Sequence, residues 1–176
     1  MIIEVDGNYF LSEINKNDKQ YLVKYLNDFD IYKYTLNIPH PYTIKDAENW
    51  IKFVKIDKDN KGVLTHFSIR NKNLDLIGGI SFHSKYGINS FKDEFGYWLA
   101  KDYWNKGIMT SIVKRFCQYG FENFSLKRLE ATVFENNLAS SKVLEKAGFQ
   151  YEGTLRNFLK KDNNLVNVKL YSLIKN

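Results

Sequence analysis

Apolar residues recur along this chain with two different periods, and the changes of period mark its elements. From Tyr9 to Ile14 (YFLSEI) they alternate with polar residues, which predicts a first strand. Asn15 to Asp18 then offer helix caps ahead of the helical period of QYLVKYLNDF. The stretch from Ile31 to Pro41 is aromatic and irregular, and Pro39 and Pro41 bracket His40 so that no helix forms there. Thr43 opens the next helix: its hydroxyl caps, Asp46 reaches back, and Ala47, Trp50, Ile51 and Val54 supply the apolar face. From Val63 the period is strand-like, with LTHFSIR, the turn NKNLD and LIGGISFH reading as a hairpin. A polar, glycine-bearing loop, Ser84 to Ser90, separates it from the next strand, FKDEFGYWLA.

That strand delivers its end to YWNKGIMT, Tyr103 to Thr110, which runs into a helical pattern through Phe121 with Ile108, Ile112, Val113, Phe116 and Cys117 on its apolar side. Beyond it lie a strand (RLEATVF), a short helix (ASSKVLEKA) ended by Gly148, and closing strands near Phe149 to Phe158 and Leu165 to Ile174 that turn at Asp162 to Asn164. No repeat, low-complexity tract or linker interrupts the pattern. Hairpins at both ends of a strand, helix, strand unit predict an α+β fold. The expectation is one domain over residues 1–176, with a central mixed, mostly antiparallel sheet of about seven strands flanked by helices.

Composition narrows the picture. With 176 residues, 44% of them hydrophobic and 16% aromatic, the chain has material for one ordinary core, and disorder is not expected. MIIEVDG lacks the basic lead and long apolar core of a signal peptide, and no run reaches membrane-spanning length, so a cytoplasmic protein without a membrane partner is expected. Cys117 is the single cysteine, which rules out an intrachain disulfide. The net charge of +6 is spread along the chain, reading as solvated surface and not as a direct nucleic-acid face. His40, His66 and His83 stand at no metal-ligand spacing, so no metal is expected.

The chemistry begins at the loop. A helix start has backbone N–H groups without partners and the positive end of the macrodipole, so the amides around Asn105 to Thr110 suit an anion such as a phosphate. Two further stretches stand beside it in order, IPHPYTIKDAENWI upstream and ENNLASSKVLEKAGFQYEGTLRN downstream. Together the three resemble the GNAT superfamily of acetyl-CoA-dependent N-acetyltransferases, in its RimJ/RimL branch of ribosomal-protein N-terminal acetyltransferases. The resemblance covers about residues 9 to 174 and implies the same fold.

Acetyl-CoA is the implied cofactor, with CoA as product. The family's pyrophosphate loop, Q/R-x-x-G-x-G/A, falls on Trp104, Asn105, Lys106, Gly107, Ile108 and Met109, where Trp104 and Met109 depart from the pattern. The backbone donors remain, and Lys106 and Thr110 add a charge and a hydroxyl. The strand end at Leu99 and Ala100 is the implied place for a backbone N–H to meet the thioester oxygen. Asn137 is implied to contact the pantetheine, and Ser140 to lie near the sulfur and steady the departing thiolate; both residue types equally suit a helix cap.

Glu94 shares a strand face with Lys92, Gly96 and Trp98. Read plainly it is a solvated or paired carboxylate; by resemblance it is the base that takes a proton from the acceptor ammonium. The function implied is acetyl transfer to a primary amine, a protein N-terminus of ribosomal-protein type, by direct attack in a ternary complex within a monomer or homodimer. Acetylation of a polyamine or other small amine is the alternative in the same class, with Asp28, Asp30, Asp46 and Glu48 as its carboxylates. A noncatalytic CoA sensor or nucleic-acid module is the alternative outside it.

Overall fold

The computed structural model describes residues 1–84, 87 and 89–175; Lys85, Tyr86 and Ile88 of the loop expected at Ser84 to Ser90 lie outside the described residues. Among these, the strands are β1 (Ile2–Glu4), β2 (Phe10–Ser12), β3 (His66–Arg70), β4 (Leu76–Phe82), β5 (Lys92–Leu99), β6 (Arg128–Phe134), β7 (Gln150–Lys161) and β8 (Asn164–Ile174). The α-helices are α1 (Lys19–Leu26), α2 (Phe29–Tyr34), α3 (Ile44–Lys61), α4 (Ile108–Asn123) and α5 (Leu138–Lys146). The strands hydrogen-bond in the order β1-β2-β3-β4-β5-β6-β8-β7. β5 and β6 run parallel, whereas β1/β2, β2/β3, β3/β4, β6/β8 and β7/β8 run antiparallel. This is the mixed, mostly antiparallel α+β sheet that the patterning predicts, with eight strands among the described residues in place of about seven. The added strand is β1, too short at Ile2–Glu4 to show alternation, which pairs with Phe10–Ser12.

The chain forms two compact units, Met1–Ser81 with Tyr97–Ile108, and Phe82–Gly96 with Met109–Asn176. In the first, Leu22, Leu26, Ile31, Tyr42, Ala47 and Leu76 make a core cluster against which Trp98 and Trp104 pack. Its helices start on polar caps. Asn15 and Asp18 form a reciprocal capping box, as do Thr43 and Asp46 at α3. The stretch expected to be irregular from Ile31 instead begins as α2, because Asp28 accepts a hydrogen bond from the Asp30 N–H and caps it. Trp50 departs from its expected core position: Ala47 and Val54 are buried, but Trp50 is 36% exposed, stacked on Phe53 and edge-on to His66.

A buried ion pair ties the parts of this unit together. Both nitrogen ends of the Arg70 guanidinium on β3 donate to the Asp18 carboxylate, at 2.8 and 2.7 Å. Its remaining donors reach Ser12 Oγ and the carbonyls of Glu13 and Leu74. The guanidinium is thus surrounded by acceptors, which is the condition for a buried charge to be tolerated.

In the second unit β6 alternates between buried Leu129, Ala131 and Val133 and half-buried Arg128, Glu130, Thr132 and Phe134. α4 sets Phe116 against Phe82 (ring centroids 4.0 Å apart) and Phe95 (5.7 Å). The hairpin of β7 and β8 carries register shifts between Tyr151 and Gly153 and between Leu155 and Leu159.

The Arg70–Asp18 pair generates a prediction. Asp18→Ala leaves the guanidinium buried without its counter-charge and should cost about 3–5 kcal/mol of unfolding free energy. A urea titration followed by far-UV circular dichroism measures it. Asp18→Leu combined with Arg70→Met should cost less than the single change, since no charge is left behind.

Candidate active site

β5 has two edges and two faces, and each is put to a different use. The Ala100 N–H donates to Ile77 O and the His83 N–H to Glu94 O, both at 2.8 Å. These two bonds fix the register against β4, so the even-numbered residues of β5 turn their peptide groups to β4 and the odd-numbered ones, Leu99 among them, turn theirs to the other edge. On that edge the pairing with β6 covers Lys92, Asp93 and Glu94. The Leu99 carbonyl accepts from the Trp104 indole Nε1 at 2.7 Å. The Ala100 N–H is engaged with Ile77, and the N–H directed away from β4 is that of Leu99.

Glu94, Gly96 and Trp98 share one face. Glu94 is 8% exposed, and its Oε1 accepts a 2.7 Å hydrogen bond from the Thr132 hydroxyl on β6. Glu130, directly opposite Glu94, is engaged by Arg128 at 2.6 Å, with Lys92 4.0 Å away. Gly96 makes room for a close approach. A Cβ built there would stand 2.9 Å from His83 Nε2, so the imidazole of the adjacent strand lies over the glycine on the face of Glu94.

Thr132 is the functional candidate that the sequence reading missed. It occupies an ordinary alternating position of a strand, and only the pairing of Glu94 with Glu130, two residues earlier, brings its hydroxyl to the carboxylate. The available signal was that RLEATVF places Thr132 on the same side as Glu130, on a strand next in order after the helix.

In the first unit the loop before α4 turns through Asn105 (φ +59°) and Gly107 (φ +76°). A left-handed glycine followed by the helical Ile108 turns successive N–H groups toward one side, and the next amides of a helix start have no carbonyl one turn back. A Cβ on Gly107 would meet nothing within 4 Å, so open space lies over the turn. Ile108 and Met109 are buried, so the long Met109 side chain, which departs from the family's small residue, points into the core and leaves the loop surface clear. Thr110 is half-buried. Lys106 lies back along the loop, its Nζ donating to Asp102 O at 2.8 Å and standing 5.8 Å from the Tyr103 ring centroid. Exposed amides, open space and a nearby cation fit a phosphorylated group.

In the second unit Asn137 caps α5: its Oδ1 accepts from the Ser140 N–H at 3.1 Å. The capping role expected for Asn137 is therefore present, while its amide nitrogen and the half-buried Ser140 hydroxyl belong to the same helix start. Cys117 is 1% exposed on α4, and burial pushes its thiol well above the ordinary range. His40 packs with Phe29 and Tyr32 at ring distances of 5.7 and 5.3 Å. The acidic group suggested for a polyamine is already engaged. Asp28 caps α2, Asp30 is bonded to Lys101, Asp46 caps α3 and Glu48 pairs with Lys19. Among the described residues no cluster of three or more His, Cys, Asp and Glu could hold a metal ion, and no helix is long and apolar enough to cross a membrane.

Comparison with known proteins defines the class. The model of the acetyltransferase (GNAT) domain matches residues 9–150, so the chain belongs to that family and is an N-acetyltransferase. It is 32% identical over 166 residues to the uncharacterized N-acetyltransferase p20 of Bacillus licheniformis, covering 94% of this chain and 92% of that one. It is 26% identical over 125 residues to the ribosomal-protein-serine acetyltransferase of Escherichia coli (strain K12), covering 64% and 69% of the two chains. The fold matches that of RimL, a ribosomal L7/L12 alpha-N-protein acetyltransferase solved in complex with coenzyme A, with a TM-score of 0.86 at 17% identity over 99% of this chain and 98% of that one.

Two predictions come from this geometry. Acetyl-CoA at about 100 times its dissociation constant should stabilise the protein by roughly 2.7 kcal/mol in a thermal-shift titration. Gly107→Glu, which strains the left-handed turn and sets a negative charge among the amides, should abolish that shift. Cys117→Ala, by contrast, should keep its turnover, because a thiol held protonated by burial is no nucleophile. An acetyl-cysteine trapped by mass spectrometry, or a folded but inactive Cys117→Ala protein, would contradict direct transfer.

Proposed function

We propose that this N-acetyltransferase takes its acetyl group from acetyl-CoA and passes it to the α-amino group of a protein, in the manner of the RimJ/RimL branch. The observation that carries the proposal is a buried carboxylate, Glu94, held by the Thr132 hydroxyl, on the same strand as a backbone N–H, that of Leu99, turned away from β4. The ribosomal-protein acetyltransferases among its relatives support a protein amine as acceptor. The engagement of Asp28, Asp30, Asp46 and Glu48 removes the feature that favoured a polyamine.

Bound acetyl-CoA supplies the acetyl group as an activated thioester and leaves as CoA. The amides of Asn105, Lys106, Gly107, Ile108, Met109 and Thr110 would hold its pyrophosphate, and Asn137 would contact its pantetheine. An ammonium has no lone pair, so Glu94 first takes a proton from the acceptor. Thr132 orients the Glu94 carboxylate by donating to Oε1. The neutral amine would then attack the thioester carbon, the C–N bond forming as the C–S bond breaks; the Leu99 N–H would donate to the carbonyl oxygen, Ser140 would steady the departing thiolate, and the second proton lost by the nitrogen would leave CoA as its thiol.

Release of free CoA, measured against a panel of N-terminal peptides, polyamines and small amines, tests the acceptor. Peptides should be the substrates, and acetylation of polyamines alone would overturn the reading. Glu94→Gln should lower the rate by about 10²-fold or more near neutral pH, with a smaller loss at high pH where free amine is abundant. Thr132→Val should lower kcat, and Thr132→Ser, which keeps the hydroxyl, should restore most of it. A Glu94→Gln enzyme with the parent rate and pH profile removes the general base.

A further inference from the structure

A pocket on β7 is given no role by this chemistry. It is open, has a volume of about 560 Å³, and is lined by Thr154, Leu155, Arg156, Asn157 and Phe158. β7 is the edge strand, and its register against β8 jumps from Leu155, opposite Val168, to Leu159, opposite Val166. The strand therefore bulges through Arg156, Asn157 and Phe158, with Asn157 in a left-handed conformation (φ +50°). The bulge is pinned. The Asn157 N–H donates to Asn167 Oδ1 at 2.9 Å, Asn167 Nδ2 donates to Glu135 Oε2 at 2.9 Å, and the Glu135 N–H donates back to Asn167 O at 3.0 Å. Glu135 stands two residues before Asn137, the cap of α5.

Arg156 is exposed on this bulge, and its guanidinium has no ion pair or hydrogen bond among the described residues. The other three arginines differ. Arg70 is saturated by Asp18 and its neighbours, Arg128 bonds both Glu130 and Glu152, and Arg115 lies half-buried on α4. The sheet places Leu155, the residue before the bulge, on the same face as Glu94. Thr132 pairs with Leu170, Leu170 with Gly153, and one step along, Phe134 pairs with Val168 and Val168 with Leu155, so Leu155 shares the face of Thr132 and Glu94. Three strand spacings separate β5, which carries Glu94, from β7, about 14 Å, which an extended peptide covers in about four residues.

We infer that the β7 bulge is a subsite for the acceptor chain, in which Arg156 receives the carboxylate of an Asp or Glu two to four residues into the peptide whose first residue carries the amine. The inference rests on the reading of the acceptor as a protein N-terminus. A guanidinium with unused donors presents a planar fork to a carboxylate, and Phe158 and Leu155 give the backbone of the peptide apolar surface to lie on.

The test compares N-terminal peptides that carry Glu, Gln or Lys at the second, third or fourth residue, with Glu at the eighth as a control for overall charge. The wild-type enzyme should show a KM about fivefold lower for Glu than for Gln at one of the three near positions, no gain at the eighth, and a loss of the preference at high salt. Arg156→Glu should invert the preference toward Lys, Arg156→Ala should abolish it, and Lys72→Glu, the same charge change at an exposed site elsewhere, should leave it intact. Peptides acetylated without regard to charge, or a preference that survives Arg156→Glu, overturn the subsite while leaving the N-terminal reading standing. Acetylation of small amines and of no peptide overturns both.

Discussion

Each peptide group of a strand needs a partner for its N–H and its C=O, and β5 divides that requirement between two edges. Toward β4 it is bonded from Glu94 to the residue after its end, as the His83–Glu94 and Ala100–Ile77 bonds show. Toward the other edge, β6 answers Lys92, Asp93 and Glu94. The far end of that edge is arranged differently: the Leu99 carbonyl is met by the Trp104 indole, a side chain from the very loop that leads to the phosphate-type turn. The strand's end and the loop are thus fastened together, and the position of the Leu99 N–H is set by the backbone alone, independent of any side chain at that residue.

The carboxylates of the second unit meet partners of different kinds. Glu130 meets Arg128, and Glu152 meets both Arg128 and Ser172; the Arg128 guanidinium and the Ser172 hydroxyl together hold the Glu152 carboxyl down to about 2. Glu94 accepts from the Thr132 hydroxyl at Oε1. A carboxylate locked to a guanidinium is a poor base, because the pairing stabilises its charged form. Arg156 stands exposed on the bulge of β7. Donors without a protein acceptor, on a bulge pinned by Asn167, are where an anion from outside has something to gain.

Much of this was legible from the residues. The capping box at Thr43 and Asp46, the helix that begins after Gly107 and the turn at Asp162 depend on contacts within a few residues, so local chemistry settles them. The three motifs gave the family because their order along the chain is itself the signal. Where the reading strayed, a distant contact intervened. Trp50 fits the helical period of a core face, yet it lies at 36% exposure against Phe53 and His66, since which part of an apolar stripe is covered depends on what packs there. α2 escaped notice because its cap, Asp28, falls within the run QYLVKYLNDF read as one helix, and the aromatic stretch after it carries no helical period.

The sequence by itself determined the period of each element, the glycine that a left-handed turn before α4 requires, and the residue types of the chemistry, Glu94, Asn137 and Ser140 among them. These depend on interactions that span a turn or a strand's alternation. Only the tertiary structure decided which backbone donor at the end of β5 is engaged, that Thr132 holds Glu94 across 38 residues of chain, and that Arg70 is neutralised by Asp18 across 52. Strand pairing is a choice among many registers, and nothing in the residues of one strand names its partner. The register is fixed when the faces bury together, and with it the neighbours of every side chain they carry.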